Sequence, residues 1–197
     1  MTKNNFDKPV LVTGATGFVG RNLVETLLDR GYAVRCLVRS AGKARELEKR
    51  GARLVIGDIN DERAVREAAH GLRAVFHLAA LIKAARREDY VRVNQTGTRI
   101  LLEAVAEASP DLTGFVHISS LSASGPVRGN GPLDEEATPH PISWYGESKL
   151  MSEEEVRRFA GVFPVSILRP SAVYGPYDTE TLLIFRMVKR GCMVTPG

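Results

Sequence analysis

The chain has 197 residues and a formal net charge of +4, with 44% hydrophobic and 25% charged residues. That is the composition of an ordinary globular protein, with length for one sizeable core and part of a second unit. Its Lys and Arg residues are interleaved with Asp and Glu rather than run together, which excludes a nucleic-acid-binding surface of the usual kind and suits a small polyanionic ligand better. Two cysteines, Cys36 and Cys192, stand in unrelated contexts and give neither a disulfide framework nor a metal site. The first nine residues lack an apolar signal core, and no stretch approaches the ~20 apolar residues of a bilayer span. The expectation is a reduced, cytoplasmic protein with no membrane and no nucleic-acid partner.

Short apolar runs alternate with longer amphipathic segments. Pro9 to Thr13 reads as a buried strand, and Gly17 to Arg30 carries Val19, Leu23, Val24, Leu27 and Leu28 at helical spacing. Tyr32 to Val38 is a second strand, Gly42 to Arg50 a polar helix, and Arg53 to Ile56 a third strand. A helix from about Glu62 to Ala69 leads to a fourth strand, Ala74 to Leu78. Asp89 to Ala108 predicts one long helix, with Val93, Gly97, Ile100, Leu101 and Val105 on one side. Phe115 to Ser119 is a fifth strand, Trp144 to Ala160 a helix, and Val165 to Leu168 a sixth strand. The extended loop from Gly125 to Ile142, rich in Gly, Pro and acidic residues, has the length of a functional connection.

Six strands separated by helices imply an α/β fold, a doubly wound parallel sheet with helices on both faces, because a parallel crossover needs a covering helix. After the first strand comes Gly14-Ala15-Thr16-Gly17-Phe18-Val19-Gly20, leading into a helix. In that context Gly14 allows the tight turn, Gly17 lets backbone approach a pyrophosphate, and Gly20 lets the helix pack on the strand. Phosphates would then sit at a helix N-terminus, where free N–H groups favour negative charge. The motif points to a Rossmann fold with strand order 3-2-1-4-5-6.

The whole run, Thr13-Gly-Ala-Thr-Gly-Phe-Val-Gly20, resembles the extended short-chain dehydrogenase/reductases, also called the NAD-dependent epimerase/dehydratase family, and the resemblance continues in order through Tyr177. It implies a nicotinamide dinucleotide held by Gly14, Thr16, Gly17, Phe18, Val19 and Gly20. The second strand ends Val38-Arg39-Ser40, where family members that use NAD carry an acid. A guanidinium at Arg39, with Lys43 and Arg45 close behind, suits a phosphate and favours NADP over NAD. Gly57-Asp58-Ile59 resembles the family's Gly-Asp-(Ile/Leu/Val) motif, whose Asp accepts from the adenine amino group. Leu78, Ala79 and Ala80 close the fourth strand, where the family runs backbone past the cofactor. His77, alone in that strand with no second ligand at metal spacing, reads as a packed, hydrogen-bonded residue outside the chemistry.

Tyr145-Gly-Glu-Ser-Lys149 places a phenol and an ammonium on one helix face. A nearby cation lowers the phenol's pKa and suits Tyr145 to acid–base work. Ser120, at the end of the fifth strand, can hydrogen-bond a substrate oxygen, with Ser119 as the fallback. The resemblance adds Asn94 to this catalytic group and lets Tyr145 and Lys149 also contact the cofactor. It implies hydride transfer between nicotinamide and a small carbonyl or alcohol substrate. The alternatives are a nucleotide-sugar epimerase, close behind, and a redox-inactive NADP(H) sensor, which the retained Tyr145 and Lys149 disfavour. The dehydratase outcome is disfavoured because Leu121-Ser122, not an acidic pair, follows Ser120. The expected domain boundary is at 1–170 for the dinucleotide-binding domain and 171–197 for the start of a substrate-binding portion, most of which lies beyond the sequence. Family members often pair their two central helices across a twofold axis, so a homodimer is the expected assembly.

Overall fold

The computed structural model describes residues 8–127 and 134–192. Six strands, Val10–Thr13 (β1), Val34–Val38 (β2), Arg53–Ile56 (β3), Ala74–His77 (β4), Gly114–Ile118 (β5) and Val165–Leu168 (β6), form one parallel sheet in the order β3-β2-β1-β4-β5-β6. The expected order is therefore observed. β1 and β2 are buried along their whole length, while the edge strands β3 and β6 are partly exposed, as strands covered on both faces and strands at an edge should be.

Alternation along the strands divides the core into two layers. Leu11, Leu37, Val75 and Phe115 face one side. Val10, Val12, Cys36 and Val38 face the other. The first layer is covered by Glu62–Ala69 (α3), Gly97–Ala108 (α5) and Trp144–Arg158 (α6), through Val65, Leu101, Leu102 and Val156. The second is covered by Phe18–Asp29 (α1) and Ala41–Lys49 (α2), through Val24, Leu27, Ala44 and Leu47. Of the five residues assigned to the apolar face of α1, Val24 and Leu27 are buried, Leu23 and Leu28 are partly buried, and Val19 is exposed. Side chains fix the starts of α3 and α6: Asp61 accepts from Arg63 N and Ala64 N at 3.1 Å each, and Ser143 accepts from Gly146 N at 3.1 Å.

Three differences from the sequence pattern bear on function. The single helix expected over Asp89 to Ala108 is instead Arg87–Tyr90 (α4), a π-helical segment Val91–Thr96, and α5. Apolar spacing reports which side faces the core and is blind to the wider hydrogen-bond ladder that carries Asn94 inward; π turns of this kind recur at functional sites. The buried face of α6 is polar, comprising Ser148, Lys149, Ser152, Glu153 and Glu155 beside Val156. Beyond β6, Glu180–Lys189 (α7) forms a helix that the sequence pattern did not mark, and its Leu183, Ile184, Phe185 and Val188 are exposed. The loop expected from Gly125 to Ile142 falls partly outside the described residues; its base is closed by His140 N donating to Ser124 O at 2.9 Å.

Phe115 is fully buried at the centre of the first layer, with its ring stacked 5.9 Å from that of Phe163. Phe115→Ala should lower the unfolding free energy by about 3–5 kcal/mol, the cost of a large core truncation. Urea denaturation measures it, and a loss under ~1 kcal/mol would place Phe115 outside the core.

Candidate functional site

Beyond the C-terminal ends of β1 and β4 the chain runs in opposite directions to cover the two faces of the sheet, which opens a crevice there. Gly14 turns the chain out of β1 with φ +71°, and a Cβ at that position would lie 2.7 Å from Ala79 N and 2.8 Å from Leu78 C. A Cβ on Gly20 would lie 2.2 Å from Gly14 O, so the first turn of α1 is packed directly on the loop. Gly17 differs: the one atom near its would-be Cβ is Gly14 O at 3.3 Å, and the remaining space is open. Gly14 and Gly20 thus permit close packing of backbone, while Gly17 leaves open space over the loop. Gly17 is also the N-cap of α1, which has no side-chain cap and no acidic residue in its first turn.

A cleft of about 370 Å³ lies over this loop. Gly14, Thr16, Gly17, Arg39, Asp58, Ile59, Leu78, Ala79 and Ala80, which the sequence analysis assigned to the cofactor, all line it. Phe18, Val19 and Gly20 are not on its wall; they belong to the first turn of α1 behind the loop. Thr13, Leu37, Lys43, Gly57, Leu81 and Val93 complete the lining. The β2 end of the cleft carries exposed Arg39 and Lys43. Asp58 caps its own turn, with Oδ1 accepting from Asn60 N at 3.0 Å and Asn60 Nδ2 at 2.9 Å. The donor set fits an elongated dinucleotide: small residues and unopposed helix N–H groups for a pyrophosphate at one point, and two cations at one end.

Tyr145 and Lys149 lie on α6, and Ser120 follows β5. Ser119 is buried and donates to Glu153 Oε1 at 2.5 Å, whereas Ser120 is half-buried beside Tyr145. Ser120 also lines a second cavity of about 570 Å³, with Leu121, Ser122, Gly125, Pro126, Ile142, Ser143, Pro170 and Ser171. Burial raises the Tyr145 pKa above its ordinary value, against the lowering pull of the Ser120 hydrogen bond. That corrects the expectation of a phenol shifted downward by Lys149. The Lys149 ammonium instead donates to Ile118 O at 2.9 Å and lies 3.4 Å from His117 Nε2, and burial lowers its own pKa to about 8. Asn94 is brought to the same region with both its polar atoms engaged: Oδ1 accepts from Leu81 N at 2.7 Å, and Nδ2 donates to Leu81 O at 3.0 Å and Ser148 Oγ at 2.8 Å.

A buried carboxylate that the sequence did not reveal organises the far side. Glu153 is fully buried and accepts from Arg169 Nη2 at 2.6 Å, Arg169 Nε at 2.9 Å and Arg157 Nη2 at 2.9 Å. Desolvation is the largest influence on its carboxyl and acts upward, but the hydrogen bonds and charges of Arg169, Ser119 and Arg157 together hold it below its ordinary value. Arg169 Nη1 also donates to Ser124 Oγ at 3.0 Å, tying the end of β6 and the turn after Ser120 to α6. The segment after β6 therefore enters the site through a guanidinium clamp. Its charge pairing could have been suspected only once α6 was known to bury its polar face.

A six-stranded sheet in this order, with a glycine loop at its switch point, defines a Rossmann fold. The chain belongs to the NAD dependent epimerase/dehydratase family, whose profile it matches over residues 10–191. It is 39% identical to a ceramide reductase of Caulobacter vibrioides over 92% of this chain and 51% of that protein. It is 34% identical to sterol demethylase protein B of Methylococcus capsulatus over 90% of this chain and 55% of that one. The chain thus spans about half the length of the curated relatives it matches. Among solved structures it resembles the UDP-glucuronic acid 4-epimerase of Bacillus cereus in complex with NAD, with a TM-score of 0.76 and 30% identity over 93% of this chain and 63% of that one. It also resembles the UDP-glucose 4-epimerase of Thermotoga maritima with UDP-glucose, with a TM-score of 0.82 and 29% identity over 94% of this chain and 64% of that one. No helix among the described residues is long and apolar enough to cross a membrane, and the described residues contain no cluster of potential metal ligands.

The buried ionisable groups give the fold a pH signature. Burial, reinforced by the Lys149 charge, lowers His77 to about 3, and burial lowers His117 well below its ordinary value. Both stay neutral when folded and gain a proton when unfolded, so their stability contribution is complete above the unfolded value of about 6.5 and falls as pH drops below it. Unfolding free energy should fall by about 2 kcal/mol per histidine between neutrality and about pH 5. Lys149 acts in another window. Its lowered folded pKa makes the unfolded state the stronger proton binder between about 8 and about 10.4, so stability should rise there with pH, and Lys149→Met should flatten that limb. Denaturant titrations across pH check both, and a flat profile below neutrality would contradict the sealed imidazoles.

Proposed function

We propose that this chain supplies the cofactor site and the proton-transfer group of an NADP-dependent oxidoreductase acting on a carbonyl or alcohol. The observation that carries the reading is the position of Ser120, which touches Tyr145 and forms part of the wall of the second cavity. A carbonyl oxygen held there would meet a hydroxyl donor and a protonated phenol together. Bound nicotinamide supplies or accepts the hydride. Tyr145, kept protonated by burial, donates its proton to the oxygen in reduction and recovers it in oxidation. Ser120 steadies the oxygen as its charge changes. Lys149 restrains the end of β5 through Ile118 O and lies one helical turn from the phenol. Asn94 acts by position, fixing the Leu81 backbone and Ser148.

NADP is favoured by Arg39 and Lys43 on the cleft wall where an acid would select NAD. The substrate is proposed to be apolar. Leu121, Pro126, Ile142 and Pro170 line the second cavity, and relatives include a ceramide reductase and a sterol demethylase protein. The second reading, a nucleotide-sugar epimerase, is favoured by the likeness to 4-epimerases of UDP-sugars.

Arg39→Ala should weaken NADPH binding roughly tenfold, the loss of one charge-assisted hydrogen bond, and leave NADH binding nearly unchanged. Fluorescence titration of both reduced cofactors checks it, and tighter binding of NADH by the unaltered protein would overturn the NADP assignment. For the chemistry, full-length protein is tested against apolar ketones and UDP-sugars. Tyr145→Phe should keep cofactor binding while turnover falls ~10²-fold or more. Turnover near that of the unaltered protein would remove Tyr145 from the mechanism, and activity on UDP-sugars alone would select the epimerase.

A further inference from the structure

The two central strands bring Thr13 and His77 side by side, since these residues are register partners of β1 and β4. Both are fully buried. His77 Nδ1 lies 2.7 Å from Thr13 Oγ1, and its Nε2 lies 2.8 Å from Thr98 Oγ1. The proton positions in this chain can be deduced. Thr98 has one hydroxyl hydrogen and donates it to Asn94 O at 2.5 Å, so towards His77 it can only accept. His77 Nε2 therefore carries the ring proton, and Nδ1 is a bare acceptor filled by the Thr13 hydroxyl. Thr13 Oγ1 in turn accepts from Ala79 N at 3.1 Å. Every donor has one acceptor, and the chain has a single direction.

Both ends of this chain reach the candidate site. Ala79 and Leu81 line the dinucleotide cleft. The first is held through Thr13, and the second by the side-chain amide of Asn94, whose main-chain carbonyl is the far end of the chain. Asn94 Nδ2 donates to Ser148 Oγ, and Ser148 donates to Tyr145 O at 2.7 Å. We propose that His77 is a positioning residue: a neutral, Nε2-protonated imidazole that fixes the cleft-lining backbone after β4 against the helix carrying Tyr145. The tautomer rests on the geometry alone, and its consequence for Tyr145 rests on the function proposed above. The groups facing the ring are the Lys149 ammonium, whose charge opposes protonation, and His117, whose centroid is 5.2 Å away. No carboxylate is among the groups that shift it.

Long-range 1H–15N correlation spectra test the tautomer directly, because the sequence has four histidines to resolve. His77 should be the neutral Nε2–H form with no titration from about pH 5 to about pH 8. The Nδ1–H form, or a midpoint within that range, would overturn the proposal. The consequence is tested by two substitutions. His77→Phe keeps the ring shape without either nitrogen, and His77→Gln restores a donor towards Thr98. The phenol titration of Tyr145 is read as the tyrosinate absorbance difference between each protein and its Tyr145→Phe counterpart. Its midpoint should move by about half a pH unit or more in His77→Phe, a roughly threefold change in the ionisation constant, and return at least halfway in His77→Gln. An unmoved midpoint in a folded His77→Phe protein would overturn the positioning role, and if that variant does not fold, an Nδ1–H tautomer in the unaltered protein would still overturn the proposal. Failure of Tyr145 as the proton donor would appear separately, as undiminished turnover in Tyr145→Phe.

Discussion

The approach of the Gly14 backbone to Leu78 and Ala79 is the contact on which the rest of the site depends. Two strand ends can come this close only where no side chain stands between them, and the space a Cβ would need at Gly14 is filled by backbone of the neighbouring strand. With β1 and β4 drawn together there, Thr13 reaches both His77 and Ala79 N, and α1 packs on the loop through Gly20. The cleft opens above the same point, with Gly17 presenting open backbone to it. Enlarging any one of these contacts would shift the others, because all are made to one turn of chain.

A second constraint comes from burying charge. α6 turns Lys149 and Glu153 inward, where each would be costly alone. Glu153 is compensated by three donors from two arginines and by Ser119. Lys149 donates to a single carbonyl, Ile118 O, and burial lowers its pKa against the upward pull of the Glu153 charge. The helix that carries the proposed chemistry is therefore held by polar contacts with specific directions rather than by an apolar stripe. Such contacts fix orientation more sharply than apolar packing does, which suits a group that must meet a substrate oxygen at hydrogen-bond distance.

Much of the architecture was legible in the sequence because it rests on periodicity and on glycine. Alternation of strands and helices implied the parallel sheet, and the spacing Gly14, Gly17, Gly20 located the switch point and the cleft. Arg39, Asp58 and the run from Leu78 to Ala80 were readable because each follows a strand, and strand ends converge at one edge of such a sheet. What was not legible depends on partners distant in sequence. The π-helical segment at Asn94 follows from hydrogen bonds to Leu81 and Ser148, which no local pattern announces. The Glu153–Arg169 pair requires α6 and β6 to meet. His77 was rightly read as a hydrogen-bonded strand residue, but its two threonine partners come from other elements. The Tyr145 shift was misjudged because residues four apart on a helix share a face without necessarily touching, and here the ammonium turns to Ile118 O.

The central claim is that the cleft over Gly14 receives a nicotinamide dinucleotide running from Arg39 towards Tyr145. A crystal structure of the protein with NADPH tests this most directly. The account predicts the pyrophosphate over Gly17 at the start of α1, the adenosine ribose phosphate between Arg39 and Lys43, and the nicotinamide beside Tyr145 and Ser120. A dinucleotide bound in the reverse direction, or with its ribose phosphate away from both cations, would contradict it.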